Sequence, residues 1–231
     1  MQRKQNIALA VFLAIQSILY YFILTAGGQA LVVTSYLAIV LCFLFSLQGI
    51  RFAPFVVGGL ACTAGADFCL VICDPIQQLW GMVFFLGAQS LYAFHLHRSK
   101  KNNILLLARI ILTAAAVILT FAFLREKADA LAVISVAYYA NLIMNIIAAF
   151  SQWNKNKLLP IAFVLFLLCD TIIGLQVAAG GYLPIPEDSW LHNLLFNGFN
   201  TSWMFYLPSQ VLIARNCLPK GVNNGAKKKA D

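Results

Sequence analysis

The chain has 231 residues, of which 61% are hydrophobic and 10% charged, and its mean hydropathy is +0.82. A water-soluble domain carries roughly 25% charged residues, so this composition excludes an ordinary soluble fold and makes lipid the solvent. The net charge of +8 would suit nucleic acid, but its distribution along the chain excludes that partner as well.

A membrane span needs about 20 apolar residues. Taken in chain order, the apolar stretches predict spans near 6–26, 30–49, 53–73, 78–96, 104–124, 129–150, 159–179 and 190–214. The first follows Arg3 and Lys4, as a signal peptide would. Its apolar run is too long for one, and QSILYYFILTAGGQA offers only a weak cleavage site, so it reads as an uncleaved span. The connections are short, and the stretch GGYLPIPEDSW before the last span is the richest in turn formers. The predicted fold is therefore all-α, a polytopic transmembrane bundle of about eight spans forming a single domain over 1–218. Residues 219–231, PKGVNNGAKKKAD, make a polar, basic tail expected to be disordered.

Charge sets the expected orientation. With a cytoplasmic N-terminus, Arg3, Lys4, Arg51, Arg98, Lys100, Lys101, Lys155, Lys157, Arg215, Lys220, Lys227, Lys228 and Lys229 all fall inside, whereas only Arg125 and Lys127 fall outside. Asp74, Glu126, Asp129, Glu187 and Asp188 fall mostly outside. This is a positive-inside pattern, and it predicts an even number of spans with both termini cytoplasmic. The basic excess reads as topology and as attraction to anionic headgroups. Trp80, Trp190 and Trp153 fall at span ends, as an aromatic belt requires.

Two residues stand apart from this background: Asp67 in CTAGADFCLVIC and Asp170 in FVLFLLCDTIIGLQ. A carboxyl group in a bilayer core costs about 2.5–3.5 kcal/mol on insertion scales and usually marks function. By helix rise Asp67 lies about 21 Å, and Asp170 about 16 Å, from the cytoplasmic edge, too deep to reach water. Each must face the bundle interior, protonated or paired. Polar neighbours exist. Tyr138, Asn141 and Asn145 follow i, i+3, i+7 spacing on one face of the sixth span, and Asn197, Asn200, Thr201, Tyr206 and Gln210 lie along the eighth. Gln89 lies near the middle of the fourth span. Interhelical hydrogen bonds are the plainer reading of the Asn and Gln residues. Arg109 lies close enough to the cytoplasmic edge for its head to snorkel there, the alternative being a counter-ion role to a carboxylate or lipid phosphate. His95 and His97 end the fourth span beside Arg98, Lys100 and Lys101.

The six cysteines lie in or beside spans and read as small packing residues. Cys69 and Cys73 share a helix face but lack further ligands, so neither a metal nor a cofactor is expected. No Gly-x-Ser-x-Gly elbow, His-Glu-x-x-His or phosphate-binding loop occurs. Any catalysis must then be acid–base chemistry by carboxyl groups. A carboxyl in low dielectric favours its neutral form, which suits a proton donor.

The chain resembles the YhhN family of eight-span membrane proteins, whose characterised animal members are lysoplasmalogenases. The resemblance rests on AGADFCLV with Asp67 in the third span, GAQSLYAF with Gln89 in the fourth and VAYYANLIM with Tyr139 in the sixth. FLLCDTIIG with Asp170 in the seventh and YLPSQVLIA with Tyr206 and Gln210 in the eighth complete it. Departures are Ala66 where the family usually has Gly, Gln89 where it often has His, Cys169 where it often has Ser, and Pro208 within the last motif. The resemblance implies hydrolysis of the vinyl ether bond of a lysoplasmalogen, with Asp67 and Asp170 as the catalytic pair. Gln89, Tyr139, Asn200, Tyr206 and Gln210 would position the substrate, a membrane lipid or lysophospholipid, in the plasma membrane of a bacterium. By counting, Tyr206 and Gln210 fall nearer the cytoplasmic edge than the acids. A proton-coupled carrier relaying protons through the same acids, or a non-catalytic membrane protein, are the competing readings.

Overall fold

The structure, a computed structural model, describes residues 2–25, 27–100, 102–179, 185–196 and 200–218. Lys101, Asn197, part of the turn-rich stretch at 180–184 and the tail at 219–231 lie outside the described residues. Among the described residues there is no strand. The helices are α1 (Gln2–Thr25), α2 (Gly28–Ser46), α3 (Pro54–Asp67), α4 (Gln78–Ser99), α5 (Asn103–Leu124), α6 (Ala130–Phe150), α7 (Leu158–Ala179), α8 (Trp190–Phe196) and α9 (Thr201–Asn216). The first seven are long and apolar enough to cross a membrane, and the chain is a polytopic helical bundle.

Local chemistry sets several boundaries. Pro54 opens α3 within its first turn, where a missing N–H costs nothing. Asn102 caps α5 by accepting from the Leu105 N–H at 3.1 Å, and Asp129 caps α6 through the Ala132 N–H at 2.7 Å. The third predicted span is not uniformly α-helical. Directly after Asp67 it continues as a π-helical turn, Phe68–Ile72, in which the Cys73 N–H bonds the Phe68 carbonyl.

The eighth predicted span differs more. It is described as two helices, α8 and α9, of 7 and 16 residues, each shorter than the roughly 20 residues needed to cross a bilayer. Asn200 precedes α9 with φ −74° and ψ 65°, outside helical geometry. Its side-chain amide donates to the Ile23 carbonyl of α1 at 2.6 Å. The residue that would continue a single helix instead fastens the start of α9 to α1.

In lipid, apolar surface does not drive helices together, so close approach and interhelical hydrogen bonds carry the bundle. The most extensive contacts pair α3 with α4 and α7 with α9, while α9 also touches α1, α2 and α3. Small residues permit this. A Cβ on Gly59 of α3 would lie 2.2 Å from a ring carbon of Tyr92 on α4. One on Gly49 would lie 2.0 Å from the Cys217 carbonyl oxygen. Helix α5 is peripheral; it packs mainly on α6 and turns Ile104 and Phe123, both about 80% exposed, towards lipid. Arg51, Arg98, Lys100, Lys155 and Arg215 gather at one end of the bundle, the basic end. Asp74, Glu126, Asp129, Glu187 and Asp188 lie at the other.

Candidate functional site

The two intramembrane carboxyls occur at one height. Asp67 is about 20 Å of helix rise from Pro54, and Asp170 about 18 Å from Leu158, both measured from the basic end. They lie within electrostatic reach of each other. Asp67 is 4% exposed and Asp170 is partly buried.

Each carboxyl is held by one tyrosine from another helix. The Tyr206 hydroxyl on α9 donates to Asp67 Oδ2 at 2.7 Å, and the Tyr138 hydroxyl on α6 donates to Asp170 Oδ2. Among the described residues no hydrogen bond reaches Oδ1 of either acid, so one oxygen of each is left to exchange a proton with a third party.

The two pairs share an aromatic floor. The Phe85 ring of α4 lies 5.6 Å from the Tyr138 ring, 6.5 Å from Tyr206 and 5.9 Å from Phe166. Phe166 and Trp203 lie 5.5 and 5.0 Å from Tyr206. Edge-to-face and tilted contacts of this kind fix ring orientation, and thereby the direction of both hydroxyls. Five helices (α3, α4, α6, α7 and α9) thus converge on one apolar compartment containing two carboxyls.

The remaining expected site residues divide around this compartment. Tyr206 is within it. The apparent mismatch in height disappears because α9 begins only at Thr201, which leaves Tyr206 near its outer end. Gln210 lies one turn further along α9, 0% exposed, with its amide donating to Ser209 Oγ at 3.1 Å and its Oε1 without a partner. Gln89 is likewise 0% exposed; its Oε1 and main-chain carbonyl accept from Asn145 at 2.8 and 2.9 Å, and its Nε2 has no partner. Tyr139 does not contact either acid: its hydroxyl meets Thr171 Oγ1 at 2.8 Å. Asn200 binds α1. The tyrosine that holds Asp170 is Tyr138, and the i, i+3, i+7 stripe of α6 already marked its face.

Below the carboxyls that stripe leads to Arg109. Its guanidinium does not snorkel to the edge but reaches across to α6, donating to Asn141 Oδ1 at 2.8 Å and Asn145 Oδ1 at 2.7 Å. Among the described residues no group of three His, Cys, Asp or Glu side chains is placed to hold a metal ion.

The YhhN family model matches residues 29–217, most of the chain. The chain belongs to the YhhN family. It is thus a multi-pass membrane protein of the lysoplasmalogenase-like family. The match spans every helix that contributes to the carboxyl compartment and begins after the end of α1. No curated protein and no solved structure matches the chain.

Proposed function

We propose that this YhhN protein is a membrane-embedded hydrolase that cleaves the vinyl ether bond of a lysoplasmalogen or a related ether lysolipid. The observation that carries the reading is the pair of tyrosine-held carboxyls in one aromatic-floored compartment, each with an unengaged oxygen. Vinyl ether hydrolysis needs an acid, a group that tolerates a cation, and an acceptor for a proton from water. A neutral carboxyl delivers its proton to the alkene carbon remote from oxygen, and the oxygen lone pair closes an oxocarbenium ion. The partner carboxylate stabilises that cation and takes a proton as water adds to the carbon. The hemiacetal then collapses: the bond from that carbon to the glycerol oxygen breaks, and that oxygen takes a proton. The products are a fatty aldehyde and a glycerophospho-base, with one water consumed. Two carboxyls in one site divide naturally into donor and acceptor.

The basic end is assigned to the cytoplasm, and both termini with it, on the positive-inside pattern; the membrane is taken to be a bacterial plasma membrane. Residues 1–218 are taken as one transmembrane domain followed by a basic tail.

The test is substrate discrimination by the purified protein in detergent. A lysoplasmalogen should release aldehyde, while the same lysolipid with a saturated alkyl ether should not, because it offers no alkene to protonate. Equal cleavage of both, or of neither, contradicts the proposed chemistry.

A further inference from the structure

Between α4, α5 and α6 at the basic end lies a cavity of about 420 Å³. Arg109, Lys100 and His97 line it, with Ser90, Asn102 and Gln152 as further polar groups. We propose that this cavity is a phosphate subsite, in which Arg109 and Lys100 hold the phosphodiester of a lysophospholipid headgroup. The assignment rests on the hydrolase reading for the identity of the lipid.

Arg109 lies about 9 Å of helix rise inside α5, and its hydrogen-bond partners are the uncharged Asn141 and Asn145. A cation at that depth is costly unless it meets an anion or water. The chain has few anions to offer. Asp67 and Asp170 are engaged by tyrosines higher in the bundle, and the other described acids lie at the opposite end. Guanidinium presents five donors in a planar fork suited to phosphate, and the two asparagines occupy only part of that fork. Lys100 spends one donor on the Ser151 carbonyl at 3.3 Å and has two more.

The length of the lipid fits the same placement. Asn141 and Arg109 bound the cavity on the side facing the carboxyls. Along α6, Asn145 and Asn141 stand about 10 and 5 Å from Tyr138, the residue that holds Asp170. In a lysoplasmalogen five bonds join phosphorus to the vinyl ether oxygen, about 6 Å when extended. Phosphate at Arg109 therefore sets the alkene at the height of the two acids, with the hydrocarbon tail directed towards the bilayer centre and beyond.

Binding of an uncleavable lipid tests this apart from turnover. Native mass spectrometry in detergent would compare acyl lysophosphatidylethanolamine with the monoacylglycerol of the same chain, which lacks the phosphoethanolamine headgroup. Wild type should bind the phospholipid at least about tenfold more tightly. Arg109→Gln should reduce that ratio to within about twofold while leaving monoacylglycerol binding unchanged. Lys100→Gln, at an exposed position where glutamine can still donate to the Ser151 carbonyl, should lower the ratio about threefold. Asp67→Asn should leave it intact, so failure of the hydrolase reading and failure of the subsite give different results. A ratio unchanged in both Arg109→Gln and Lys100→Gln overturns the subsite. Displacement of the lysolipid by low-millimolar inorganic phosphate would assign the cavity to free phosphate and overturn the lipid assignment.

Discussion

Adjacent tyrosines on α6 offer a sharp test, because only one of them touches a carboxyl. Tyr138→Phe removes the hydroxyl that donates to Asp170 and leaves the ring against Phe85. A hydrogen bond to a charged group is worth about 1.5–3 kcal/mol. At about 1.36 kcal/mol per tenfold in rate, kcat/KM for aldehyde release should fall roughly 10- to 150-fold. Tyr139→Phe removes a neutral bond to Thr171. Interhelical bonds of that kind average about 0.6 kcal/mol, so activity should stay within about threefold. Both variants keep an aromatic ring of nearly equal volume, and their melting temperatures in detergent should lie close to wild type. Aldehyde captured by a hydrazine reagent gives the rate. Equal losses in the two variants, or a greater loss in Tyr139→Phe, would refute the claim that Tyr138 orients the acid.

Three further outcomes follow from the structure. Gly59→Ala drives a methyl group into the Tyr92 ring, and overpacking of about 1–3 kcal/mol should lower the melting temperature by several degrees. Gly58→Ala, which meets only the end of the Leu91 side chain at 3.3 Å, should change it little. Gln210→Met replaces a buried amide whose Oε1 has no partner; stability should hold or rise while turnover falls, and a steep stability loss would instead make Gln210 a structural residue. Glu126→Cys should react with an impermeant maleimide in intact cells and Ser99→Cys only after permeabilisation; the reverse pattern would invert the bundle.

Much of this arrangement is readable before folding. Apolar runs locate seven helices to within a few residues, and the cost of burying charge singles out Asp67 and Asp170. What escapes is whatever depends on how helices meet. Phe85 and Phe166 are two of 18 phenylalanines, and nothing local distinguishes them as the floor of a site. Tyr138 and Tyr139 are neighbours about 100° apart on a helix, so motif resemblance points to one while the polar stripe points to the other. The π-helical turn after Asp67 has no composition signature, although such turns often attend functional sites. The start of α9 is tied down by Asn200 finding a partner on α1, a contact 177 residues away in sequence. Arg109 is legible as a cation within a span, but its turn towards α6 depends on α5 being docked there.

The most direct measurement is aldehyde release from a lysoplasmalogen by wild type, Asp67→Asn and Asp170→Asn purified side by side, with folding verified for each. Asparagine keeps the shape of aspartate and removes its titratable proton. The account predicts release by wild type and loss of at least about a thousandfold in each folded variant. Release that survives in either would contradict a two-carboxyl mechanism; no release from folded wild type across headgroups would contradict the hydrolase itself.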